Sequence, residues 1–266
     1  MSNPRQLTQK ATQLFVAGRG DKAIGLFKQA RDLYLDSNNI YCAAECQYMV
    51  GVALVSEGQQ KEGLKNLNTA LQTQETLKMP TAAATTLREL GSAHMLYGRY
   101  FESQSLFSDS LELFLEIDSL QEKLLCWAKL ARLYSLTGEA SQALLYLELS
   151  RPTPNSFISD QHLIAIHTNR LFALIELDML DQAPQILTAA RQILAQSGLA
   201  STNQRRAVQL MGLELNILRM TKSWLAGWRL YNLQFVDAHE DLSEGCRAVL
   251  NLEIDTSSII RHFASR

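Results

Sequence analysis

Apolar positions along this chain recur with two spacings at once. Within a segment they return every three or four residues, which gathers them on one face of a helix. Between segments they return every forty. Gly18, Gly58, Gly98 and Gly138 stand forty residues apart, and Asp178 takes the next equivalent place. Five residues beyond each comes a small residue: Ala23, Gly63, Ser103, Ala143 and Ala183. Four further on comes a large one, Phe27, Leu67, Phe107, Leu147 and Leu187, and three beyond that another small one, Ala30, Ala70, Ser110, Ser150 and Ala190. The segment before each turn repeats as well. Seven residues upstream lie Ala11, Gly51, Gly91, Ala131, Leu171 and Leu215; four upstream lie Leu14, Leu54, His94, Tyr134, Leu174 and Leu218. The sixth copy follows a four-residue insertion, with Lys222 at the turn and then Gly227, Tyr231 and Gln234, the last of which breaks the pattern.

The pattern describes a helix, a reversal at Gly or a polar residue, and a second helix. Small residues at fixed places let the two helices approach closely, and the large one fills the space toward the next pair. A single pair cannot bury its apolar face alone, so the pairs must stack. Pairs are expected at 4–17 with 20–36, 39–57 with 59–77, 80–97 with 99–117, 119–137 with 139–150, 161–177 with 181–197, and 202–220 with 223–241. Ser150–Asp160 is a long loop, because Pro152 and Pro154 cannot continue a helix. One reading of 151–160 is a joint between a four-repeat and a two-repeat half. Pro184 fits the first turn of its helix if Asp181 is the N-cap. Beyond the array at 1–242, residues 243–266 are expected to form one or two helices capping the last repeat.

The repeat resembles the tetratricopeptide repeat, a helix–turn–helix unit. Trp127, Leu130, Ala131, Tyr134, Gly138, Ala143 and Leu147 fall where that family carries W, L, G or A, Y, G, A and F. Leu87, Leu90, Gly91, Gly98, Tyr100 and Phe107 follow in the copy before. The resemblance covers about residues 4–240. The period departs from the family's usual thirty-four residues, and most copies lack its Pro, which points to longer helices. The implied fold is all-α: a right-handed superhelical solenoid of about six antiparallel helix pairs plus the C-terminal cap.

Composition agrees. Hydrophobic residues make up 47% and charged residues 20%, so a folded chain is expected rather than a disordered one. The net charge of −2 gives no overall field to draw in nucleic acid or an acidic membrane. No apolar run reaches the length of a membrane span, and the polar N-terminus carries no secretory h-region, so a cytoplasmic location is expected. Cys42, Cys46, Cys126 and Cys246 read as reduced thiols. Five histidines lie without metal-ligand spacing, and no phosphate loop or nucleophile elbow occurs. No cofactor, metal or enzymatic activity is expected.

In tetratricopeptide proteins the first helix of each pair lines the concave surface. The face about 100° from the core positions carries Tyr48, Arg88, Ser92, Met95, Arg132, Phe172, Asn216 and Arg219, among others. Four arginines against one acid, Glu45, make this groove locally basic, and a guanidinium fork suits carboxylates. The plainer alternative pairs these arginines with acids on neighbouring helices. The carboxylate clamp of chaperone-binding members is missing, since its first positions read Thr8, Thr12, Tyr48 and Val52. The stripe Trp224, Trp228, Tyr231 and Phe235 reads as the packing face of the last second helix. The function expected is a protein–protein interaction adaptor whose groove takes a peptide, helix or acidic segment. Alternatives are a regulatory sensor of a small peptide or metabolite and, further off, a SNAP-type fusion adaptor.

Overall fold

The structure, a computed structural model, describes residues 3–153 and 156–197. It contains ten α-helices in this range: α1 Pro4–Val16, α2 Gly20–Asp36, α3 Ile40–Ser56, α4 Gln60–Thr76, α5 Pro80–Leu96, α6 Tyr100–Glu116, α7 Leu120–Leu136, α8 Ala140–Leu149, α9 Asp160–Glu176 and α10 Ala183–Ser197. No strand occurs among the described residues. All five expected pairs within this range are present, with ends within two residues of the expected ones. The sixth pair, the Trp224 stripe, the terminal cap, Asn216 and Arg219 lie outside the described residues.

The backbone repeats more finely than the sequence pattern. Helices begin at 20, 40, 60, 80, 100, 120, 140 and 160, so the structural unit is a twenty-residue half-repeat. Helices α1 to α7 and α9 close with the same left-handed cap; α8 does not. Gly18, Gly58, Gly98 and Gly138 take φ between 72° and 79° at the turns within pairs, while Asn38, Lys78, Asp118 and Asp178 take φ between 54° and 58°. The following amide then donates to the carbonyl five residues back: Arg19 to Leu14, Asn39 to Tyr34, Gln59 to Leu54, Met79 to Gln74, and so on to Met179 and Leu174. This reverses the chain and satisfies carbonyls that a helix end leaves open. Asn3, Asn39 and Ser159 cap the starts of α1, α3 and α9 through side-chain oxygens.

Packing follows the recurring columns. Phe27, Leu67, Phe107, Leu147 and Leu187 are all buried, as are the small residues at both flanking columns. A fully buried Phe or Leu contributes about 1.5–3 kcal/mol. Close approach is enforced where glycine stands: a Cβ at Gly91 would lie 2.7 Å from the Phe107 ring, and one at Gly51 would lie 2.7 Å from Leu67.

The frame changes around Pro152. Helix α8 stops after ten residues, and Arg170 on α9 donates to the Leu147 carbonyl (2.7 Å), one of the acceptors this early ending leaves open. Up to this point each first helix meets the preceding pair mainly through that pair's second helix; α9 instead meets it mainly through α7. Helix α10 begins at Ala183, with Pro184 as its second residue, so the missing proline N–H falls in the first turn.

Candidate functional site

Successive first helices touch one another, α3 with α5, α5 with α7 and α7 with α9. They therefore form the inner side of the stack, and side chains at one register meet their counterparts forty residues on.

Arg132 and Phe172 are such counterparts. The guanidinium carbon lies 3.6 Å from the centre of the Phe172 ring. The stacking holds the planar group flat against the ring. Arg132 is half-buried and Phe172 is buried.

Arg88 has a different environment. Only 5% exposed, it bonds Glu122 on α7 through Nη1, approaches Glu89 through Nε at 3.5 Å, and lies 5.4 Å from the centre of the Phe114 ring. This is the pairing with neighbouring acids, the plainer of the two sequence readings. Its charge is met inside the stack, so the inner face here is not a strip of unpaired positive charge. Burial alone would raise the Glu122 carboxyl, but the His162 hydrogen bond and Arg88 outweigh it and hold Glu122 at about 2. Beside this pair, Lys129 donates to Ser92 Oγ at 2.6 Å and stands 3.9 Å from Glu89. Ser92 is half-buried, whereas Met95 is buried in the core with Phe107, Leu130 and Tyr134.

His162 joins Ser159 Oγ at 2.7 Å through Nδ1 and Glu122 at 3.0 Å through Nε2. The composition is that of a hydrolase triad, but each member has a structural task. Ser159 caps α9 and Glu122 compensates Arg88. No group of three or more potential metal ligands occurs among the described residues.

Tyr48 lines a pocket of about 330 Å³ between α3 and α5, together with Glu45, Thr81, Ala82, Thr85, Thr86 and Gln74 at the end of α4. Burial, with Glu89 adding to it, raises the Tyr48 phenol, so it stays protonated and able to donate. Burial also raises the Glu45 carboxyl.

The structure thus brings Tyr48, Arg88, Ser92 and Arg132 to the inner side and Met95 into the core. Sequence reasoning missed Glu89, Glu122, Lys129 and His162. A signal for them existed, because Glu89 and Lys129 share one register of neighbouring repeats and Glu122 and His162 share another. An acid followed by a base in one column marks a cross-repeat contact.

A search of curated proteins finds no match to this sequence. Among solved structures, a Rap protein complexed with Competence and Sporulation Factor superposes with a TM-score of 0.67 at 15% identity, over 90% of this chain. The chain spans 64% of the length of that Rap chain. Two structures of nearly identical TPR-like repeats from a Podosopora anserina kinesin light chain superpose at 0.54 and 0.53 with 19% and 18% identity. Each covers 74% of this chain and 99% of its own. The fold is thus that of a tetratricopeptide-like solenoid. Residues 10–158 match the family described as the Suppressor of spindle checkpoint defect 1 C-terminal domain, and the chain belongs to that family.

Proposed function

For a member of this family, we propose a non-catalytic role: a scaffold that holds a peptide, helix or extended segment of a partner protein against the inner face of α3, α5, α7 and α9. The carrying observation is the alignment of Tyr48, Ser92 and Arg132 on successive first helices, each half-buried, on a frame whose spacing is fixed by buried columns. A pre-formed surface of this kind lowers the ordering cost of binding, since only the partner must be immobilised. Arg132, held flat on Phe172, gives the face a planar, half-buried contact surface; Arg88 acts from within the stack by fixing α5 to α7. A cytoplasmic setting goes with it; among the described residues no helix is long and apolar enough to cross a membrane.

A second reading, a sensor of a small peptide, draws support from the Rap neighbour solved with its factor. One experiment separates the two. A photo-crosslinking residue is placed at Thr85 or Arg132 on the inner face and, as controls, at Lys65 or Leu145 on exposed second-helix positions. Protein-sized adducts from inner positions alone support the scaffold. Adducts of peptide mass support the sensor, and adducts from the outer positions alone overturn both.

A further inference from the structure

The α3–α5 pocket has an internal counterpart one repeat later, and the two differ in a telling way. Between α5 and α7 the space is filled by the chain's own cation: Arg88 lies over Phe114 and is met by Glu122 and Glu89. Between α3 and α5 the corresponding columns read Tyr48 for Arg88, Gln74 for Phe114 and Ala82 for Glu122. The cation, its acid partner and the ring beneath it are gone, and about 330 Å³ stays open beside Tyr48. Gln74, 1% exposed, presents an amide where the neighbouring repeat has an aromatic ring, and its carbonyl already accepts from Thr86 at 2.7 Å. Glu45 is exposed to an incoming partner, and it makes no ion pair or hydrogen bond with another described residue; neither does the Tyr48 hydroxyl. Glu89, Glu45 and Glu122 all act on that hydroxyl, against Arg88 alone.

An open space lined by an accessible, unpaired carboxylate and an aromatic ring suits a cation. We propose that the α3–α5 pocket receives a lysine or arginine side chain of the bound partner, paired with Glu45 and packed on Tyr48. The proposal rests on the inner-face reading above and gives that face a stated preference, a basic partner residue at α3–α5.

The test titrates the full isotope-labelled chain with N-acetyl-arginine amide, N-acetyl-lysine amide and, as control, N-acetyl-glutamate amide, followed by NMR. Saturable shifts at residues 45–48 and 81–86 with a cationic probe alone are expected. Glu45→Gln should weaken that binding about tenfold or more, the scale of a lost charge-assisted hydrogen bond. Ala82→Met should block it with Glu45 intact, and both variants should keep the wild-type melting temperature. No saturable shift with either cationic probe, or equal affinity in Glu45→Gln, overturns the assignment. Crosslinking reads the inner face whether or not this pocket is used, so a failed pocket with successful inner-face adducts is distinguishable from a failed scaffold.

Discussion

Removing the Glu122 carboxylate, as Glu122→Gln, tests the reasoning that ties α5, α7 and α9 together. The variant keeps the shape of the side chain but leaves Arg88, 5% exposed, with Glu89 as its remaining acid at 3.5 Å. Glu122 sits at about 2 in the folded chain against an ordinary 4.5, a difference worth roughly 3 kcal/mol. Its side chain is 14% exposed, so solvent screening removes only part of this. Loss of one partner of a buried pair typically costs about 3–5 kcal/mol, which agrees in scale.

The pH dependence fixes the cause. A carboxylate with a lowered folded pKa contributes fully above its unfolded value and loses the contribution as pH falls through the folded value. In urea denaturation followed by helical circular dichroism, wild type should exceed Glu122→Gln by about 3 kcal/mol at pH 7 and still at pH 5. The gap should shrink below pH 4.5 and fall to about 1 kcal/mol near pH 2.5. Replacing both partners, as Arg88→Met with Glu122→Leu, should recover much of the loss, because neither burial penalty then remains. Equal midpoints at pH 7, or a gap that stays constant down to pH 2.5, would refute the account.

Three further outcomes follow from the same frame. Gly91→Ala should destabilise by about 1–3 kcal/mol, since the new Cβ meets the Phe107 ring at 2.7 Å, whereas Gly25→Ala, with nothing within 4 Å, should stabilise by about 0.5–1 kcal/mol; paired thermal melts that move in the same direction would contradict this. His167 is held at about 4 by burial and by Arg170, so wild-type stability should be full above 6.5 and decline as pH falls toward 4, and His167→Phe should flatten that window in denaturation midpoints. Lys78 takes φ 54° at a helix-ending cap, so Lys78→Gly should raise the melting temperature by the equivalent of about 1 kcal/mol; a lower melting temperature would show that its side chain contributes more than its backbone costs.

The helix pairs were legible because the residues that set them are few and chemically extreme. Gly at a left-handed cap and Phe or Leu between small neighbours leave little choice of local structure. The twenty-residue half-repeat was harder to see. Asn38, Lys78 and Asp118 adopt the same left-handed backbone as the glycines, but they share no side-chain type that a column would display. The late start of α10 was missed by two residues, a small local adjustment around Pro184. Of the residues read onto the inner face, Tyr48, Ser92 and Arg132 are half-buried, whereas Met95 lies in the core and the charge of Arg88 is met by its neighbours. Reading only one helical stripe collected the arginines and left out Glu89 and Glu122, one helical step away, which meet Arg88. Helix periodicity says which residues share a face; it does not say which long side chains reach across to the next repeat.

That limit locates where function can differ along a repeated frame. Up to α7 every interval between pairs inherits the same kind of helix, the same cap and the same buried columns, so none of these distinguishes one interval from another. What differs is the handful of columns that face the next first helix. Tyr48, Arg88, Ala128 and Thr168 share one of them; Cys42, Ala82, Glu122 and His162 share another. Where a large charged residue meets its opposite in the adjoining column, as Arg88 meets Glu122, the interval is closed by the chain itself and works as a strut. Where small residues meet an unpaired acid, as Ala82 and Thr85 meet Glu45, the interval stays open and its electrostatics are completed from outside. A solenoid can therefore keep one fold in every repeat and still give each interval its own task, because the columns that specify packing are separate from those that specify recognition.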